Sequence, residues 1–236
     1  MMNIRMKFLK DEEVKYISHL DLMRTFQRAM RRAKIPMVYS AGFNPHPEMS
    51  FAQALSLGIA SVGEYLDIKT KDNINIRELK DKLNNVLPTG LNVIDAVILK
   101  DKAKSAMALV THSEYILRLY FNSKEPLNMK DVLSNFMNQT EIYVMKEQSK
   151  KDSKLIKINI KPMIKSIDLM PEKELGEQVL NCILNCGSKS NLKPELLIQA
   201  IEDFSGLKAL RRNIKRVELY MEIDQNLVPL LDIDNA

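Results

Sequence analysis

A chain of 236 residues, 45% of them hydrophobic, carries enough apolar surface for one large core or two small ones, which argues against disorder. Its longest apolar runs, Ile94–Leu99 and Leu227–Leu231 among them, fall far below the roughly 20 residues that cross a bilayer, so no membrane association is expected. A net charge of +5 permits an anionic partner, and two cysteines with no uninterrupted apolar leader at the amino terminus point to a cytoplasmic protein.

Ile4–Leu9 and Val14–Ile17 flank a turn-like Lys10-Asp11-Glu12-Glu13, and their β-branched and aromatic content predicts extended structure. Ser18, with Asp21 three positions on, predicts a helix N-terminus; the helix should run to about Lys34 and stop before Pro36. Met37–Ser40 and Met49–Leu57 read as strands on either side of the Gly/Pro-rich loop Ala41–Glu48. In Glu64–Thr70, Leu66 and Ile68 alternate with Asp67 and Lys69, the pattern of a strand with one buried face. Asn75 should cap a second helix with a stripe of Ile76, Leu79, Leu83 and Val86, ended by Pro88 and Gly90 before a strand at Leu91–Leu99.

The order strand, helix, two strands, helix, strand is that of the split βαβ unit. After a linker at Asp101–Thr111 it repeats in outline: a strand at Tyr115–Phe121, a helix at Met129–Met137, strands at Ile142–Lys146 and Leu155–Ile160 around a polar turn Gln148–Lys154, a strand at Val179–Asn185, a helix from Pro194 to Gly206, and a strand at Arg216–Glu222. Lys161–Glu177 is an extra excursion. The fold class is therefore α+β, with two tandem ferredoxin-like units and antiparallel sheets, divided as residues 1–102, 112–224 and a tail at 225–236.

Function is sought in three constellations. Around the first helix, at 100° per residue, Leu22, Phe26, Met30 and Ala33 share one side while Arg24, Arg28, Arg31 and Arg32 share the other. A basic face can simply be solvated, but guanidinium groups, unlike ammonium groups, are planar forks suited to phosphate oxygens. The loop Ser40-Ala-Gly-Phe-Asn-Pro-His-Pro is braced by Pro45 and Pro47 and either fixes a crossover or presents Phe43 for stacking and Ser40, Asn44 and His46 for hydrogen bonding. His19 and His46 form a weak acid–base pair for RNA cleavage, because His19 sits in a helix first turn where a charged ring is disfavoured.

Glu64 and Asp67 lie three apart on a strand and so face opposite sides. Cys182 and Cys186, within an apolar run, read as small hydrophobes rather than metal ligands. Walker, dinucleotide-binding, zinc-protease and nucleophile-elbow motifs are missing, and neither a catalytic residue, a metal nor a cofactor is predicted.

The stretches Tyr16-Ile-Ser-His-Leu-Asp-Leu-Met-Arg24, Arg28-Ala-Met-Arg-Arg32-Ala, Ser40-Ala-Gly-Phe-Asn-Pro-His-Pro47 and Met49-Ser-Phe-Ala52 resemble the radical-SAM-linked protein family, a domain of unknown function encoded beside or fused to cobalamin-binding radical SAM proteins. The resemblance is dense over Ile4–Lys69 and thinner beyond Thr111. It implies a radical SAM protein as partner and an RNA context. The expectation is a non-catalytic accessory protein that binds RNA or presents substrate through Arg24, Arg28, Arg31, Arg32, Ser40, Phe43, Asn44 and His46. The competing readings are a protein adaptor docking through the loop and Leu227–Ile233, and a metal-independent endoribonuclease.

Overall fold

The computed structural model describes residues 1–121, 128–147, 155–172 and 176–232 of a mixed α+β chain. In chain order the elements are β1 (Met2–Lys10), α1 (His19–Arg32), β2 (Met49–Phe51), β3 (Ala60–Thr70), α2 (Ile76–Asn84), β4 (Leu91–Ile98), α3 (Ala106–Leu109), β5 (His112–Phe121), α4 (Met129–Met137), β6 (Tyr143–Glu147), β7 (Leu155–Asn159), β8 (Ile164–Met170), β9 (Glu177–Asn185), α5 (Pro194–Ser205), β10 (Ala209–Ile223) and β11 (Asn226–Pro229). Among the described residues no helix is long and apolar enough to cross a membrane.

Two compact units result, and the first is discontinuous. Met1–His112 joins with the stretch from Arg216, whereas Ser113–Lys215 forms the second unit. The sequence had suggested contiguous halves. The difference arises because the end of β10 supplies the first unit with an ionic partner: Arg216 donates from Nε and Nη2 to the Glu64 carboxylate at 2.7 and 2.6 Å.

In the first unit the strand order is β4-β1-β3-β10, with β2 on β3 and β11 on β10. β1 runs antiparallel to both neighbours, placing Ile4 opposite Ile68 of β3 and Ile98 of β4. Alternation along β1 and β3 sends Ile4, Met6, Phe8, Leu66 and Ile68 to one face, where Leu22, Phe26, Met30, Leu79 and Leu83 of the two helices close the core. Phe8 and Phe26 meet edge to face with ring centroids 4.8 Å apart. The other face carries Arg5, Lys7, Tyr65 and Asp67.

α1 forms where expected, because the Ser18 hydroxyl accepts from the Asp21 N–H at 3.2 Å and donates to the Asp21 carboxylate at 2.7 Å. It ends at Arg32, two residues before the predicted stop, as Lys34 turns to a φ of 53° ahead of Ile35 and Pro36. Val14–Ile17 is not a strand: Asp11 caps a single 3-10 turn at Glu12–Val14. Met37–Ser40 makes only isolated bridges, Met37 to Thr70 and Tyr39 to Pro47, and the predicted strand Met49–Leu57 shrinks to β2. The supposed linker contains α3, capped by Ser105, and belongs to the first unit.

The second unit pairs β9 with β8 antiparallel, Ile167 opposite Cys182, and sets β5 beside β9. The excursion at Lys161–Glu177 thus supplies a strand. β6 and β7 form a separate antiparallel pair, Met145 opposite Lys157; the turn Gln148–Lys154 proposed between them lies outside the described residues. Leu117, Leu119, Phe136, Leu180, Leu197 and Ile201 build this core. Cys182 and Cys186 are buried and form no disulfide among the described residues, and burial pushes the Cys182 thiol above its ordinary pKa.

Candidate nucleic-acid interface

Packing of Leu22, Phe26, Ala29 and Met30 into the core turns the arginine side of α1 outward, and Arg24, Arg28, Arg31 and Arg32 are all exposed. Their engagements differ. Arg24 pairs with Asp21 at 3.2 Å across an exposed helical turn, and Arg32 donates to the Val86 carbonyl at 2.7 Å. Arg28 and Arg31 make neither hydrogen bond nor ion pair among the described residues. Asp21 is held below the ordinary carboxylate range, first by the Ser18 hydroxyl and then by Arg24 and Arg28.

The loop is a closed structure. The Ser40 N–H donates to the His46 carbonyl at 2.8 Å, and the His46 N–H donates to the Ser40 Oγ at 3.0 Å, so both ends are tied together. Gly42 at φ 122° supplies a turn geometry that side-chain-bearing residues rarely adopt. At the tip Phe43 is wholly exposed, 106% of its reference area, and Asn44 and His46 are exposed beside it. Ser40 and His46 are therefore brought together, while among the described residues no hydrogen bond, ion pair or ring contact joins the loop to the α1 arginines. His19 does not pair with His46; its ring packs edge to face on Phe51, centroids 5.2 Å apart.

Arg5, Lys7, Tyr65 and Glu218, which carry no signal of their own in the sequence, gather with Asp67 on the other face of the same sheet. Fully buried Arg5 donates from Nε and Nη2 to Asp67 at 2.8 and 3.1 Å, from Nη1 to the Leu230 carbonyl at 3.0 Å and from Nη2 to the Lys104 carbonyl at 2.9 Å. Asp67 also accepts the Ala106 N–H at 2.7 Å. Nearby, Glu218 takes the Tyr65 hydroxyl at 2.6 Å, the Lys7 ammonium and its neighbour Leu219's N–H at 2.9 Å. Burial, then Glu218, pushes the Tyr65 phenol well above its ordinary pKa. Glu64 indeed points away from Asp67, toward Arg216. Lys10, donating to the Lys15 and Ile17 carbonyls at 2.9 and 3.0 Å, is held below the ordinary lysine range by desolvation.

Beside Asp67 opens a pocket of about 320 Å³, lined on its polar side by Asn3, Glu48, Ser50, Asp67, Lys69, Lys102 and Ser105. The signal available in sequence was the alternation of Arg5 and Lys7 on β1 against Tyr65 and Asp67 on β3, which acquires meaning only once the register is known.

No curated protein matches the chain. Among solved structures, a chain of a Cbf5-Nop10-Gar1 complex superposes with a TM-score of 0.53 at 11% identity over 96% of this chain and 52% of that one, so this chain spans about half its length; the likeness is one of fold. An unknown protein from Galdieria sulphuraria aligns over 92% of this chain and 98% of that one, with 9% identity and a TM-score of 0.25. Residues 3–194 match the family described as "Uncharacterized protein conserved in bacteria (DUF2344)", and the chain belongs to that family.

Proposed function

We propose that this protein is a non-catalytic accessory protein that binds RNA, or presents an RNA substrate, to a radical SAM enzyme. The carrying observation is the pair Arg28 and Arg31, exposed on α1 and held in no hydrogen bond or ion pair among the described residues. Buried or neutralised guanidinium groups would have no charge to offer a polyanion. The tied loop adds a second element: an exposed phenyl ring on a braced tip has already lost most of the freedom that stacking on a base would cost. The strand order β4-β1-β3 with β2 outside β3, all antiparallel, fits a split βαβ unit in the first unit. The radical SAM partner follows from the sequence resemblance over Ile4–Lys69.

The competing readings have less support. An adaptor docking through Leu227–Ile233 would need that segment free, yet Leu227 and Val228 are paired in β11 and Leu230 is fully buried; Ile233 lies outside the described residues. An endoribonuclease using His19 and His46 would need two imidazoles converging on one phosphate, and His19 is packed against Phe51 instead.

Fluorescence anisotropy with a labelled single-stranded RNA tests the proposal. If all four arginines neutralise phosphates, the log–log salt slope should be about −3. The quadruple Arg24→Glu, Arg28→Glu, Arg31→Glu, Arg32→Glu variant should bind at least tenfold more weakly, and Phe43→Ala should cost about 1–3 kcal/mol of binding. Affinity that is flat with salt, or equal in the charge-reversed variant, would overturn it.

A further inference from the structure

The pocket beside Asp67 is not needed for holding phosphates, and its chemistry is specific. Asp67 is presented by a rigid frame, since Arg5 has 0% side-chain exposure and Asp67 itself 13%. A carboxylate offers roughly four lone-pair sites. The two Arg5 bonds and the Ala106 N–H occupy three, leaving about one acceptor position. Lys69, paired with Glu48 at 3.4 Å, and Lys102 line the same space, and an ammonium can only donate, so Lys102 is the cation open to a ligand. Leu99 and Ala103 add apolar side chains to the lining. A volume of about 320 Å³ is at the small end of ligand pockets, suited to one compact ring system.

We propose that this pocket takes a single nucleobase of the lactam type, guanine or uracil, unstacked from an RNA strand. Such a base offers a ring N–H to the remaining lone pair of Asp67 and an adjacent carbonyl oxygen to a lysine, while its faces lie against the apolar lining. Adenine has no carbonyl and cytosine no ring N–H on its pairing edge, so both leave one of these groups unsatisfied. The source of the base rests on the RNA reading above. Glu48, which also lines the pocket, closes the hairpin that carries the Ser40–His46 loop through its N–H to the Val38 carbonyl at 2.8 Å.

Titration of the full chain with guanosine, uridine, adenosine and cytidine by calorimetry tests the pocket without RNA. Guanosine or uridine should saturate at least tenfold more tightly than adenosine and cytidine. Ala103→Trp, on the exposed turn beside the pocket, should abolish that binding by filling the space while leaving Arg5 and Asp67 untouched. If that variant does not fold, Lys102→Gln serves instead and should weaken binding severalfold. No saturable binding, equal affinity for all four nucleosides, or binding unchanged in the folded variants overturns the proposal. The Arg28→Glu, Arg31→Glu variant separates the two readings: nucleoside binding should persist while RNA affinity falls. Nucleoside binding without any RNA affinity would remove the polymer reading and leave the pocket standing, and the reverse result would remove only the pocket.

Discussion

One face of the first unit's sheet is held by shape, with Phe8, Phe26 and Phe51 meeting edge to face under the helices, and the other by charge, with Arg5, Lys7, Asp67 and Glu218 paired beneath chain segments from residues 104–106 and Leu230. The apolar face tolerates repacking in proportion to volume. The polar face does not, because each buried charge depends on a particular partner. This difference explains why a pocket capable of recognition lies on the second face: hydrogen-bonding groups already fixed there lose little freedom when a ligand arrives.

The sharpest way to break the contrast is on the polar face. Arg5→Met should cost about 3–5 kcal/mol in urea unfolding, since Asp67 and the Leu230 and Lys104 carbonyls all lose donors. The combined Arg5→Met, Asp67→Leu variant should recover part of that loss; no recovery would show that the carbonyl partners dominate. On the apolar face Phe26→Ala should cost a similar ~3–5 kcal/mol, with no pH dependence.

Gly63→Ala comes next. Its added Cβ would lie 2.2 Å from the Val217 carbonyl oxygen, so β3 and the end of β10 must separate, at a cost of about 3 kcal/mol readable as a lowered Tm.

Tyr65→Phe is smaller, about 1.5–3 kcal/mol, for loss of a hydrogen bond to a carboxylate. It also carries a pH signature. The unfolded phenol ionises near pH 10, whereas the folded one, raised by burial and Glu218, keeps its proton. Above about pH 10 the folded state therefore binds more protons, and stability falls as pH rises. Below that pH the contribution is fully present. Urea midpoints between pH 8 and 11 should drop more steeply in the natural chain than in Tyr65→Phe. The smallest effect belongs to the exposed face of α1, where Arg28→Glu with Arg31→Glu should change stability by no more than about 0.5 kcal/mol. A larger change would mean that those arginines support the fold.

How much of this was legible beforehand depended on range in sequence. α1 could be read because its cap, its apolar stripe and its arginine face all lie within a few turns of one helix. The loop's proline brace was equally local. Arg5, by contrast, has the spacing of a solvent-facing strand residue, and the partners it meets once buried lie 62, 99 and 225 positions away. The same holds for Arg216, whose partner Glu64 is 152 positions distant. Pro36 and Pro47 stand beside segments rich in strand-forming residues, but Met37–Ser40 pairs only through isolated bridges to Thr70 and Pro47, so propensity alone does not make a ladder there. The Ser40–His46 closure could not be anticipated from residue types alone, since the Ser40 hydroxyl and N–H must converge on the backbone of a residue six positions away.

The discontinuity of the first unit has a consequence during translation. Glu64 and Arg5 leave the ribosome long before Arg216 and Leu230 exist, so both carry unmatched charge or donors while residues 113–215, contiguous in the chain, already have every strand of their own core. A chain truncated after Lys215 and held on the ribosome by a neutral linker should resist protease over the later segment before the earlier one, reversing the order in which the two were made.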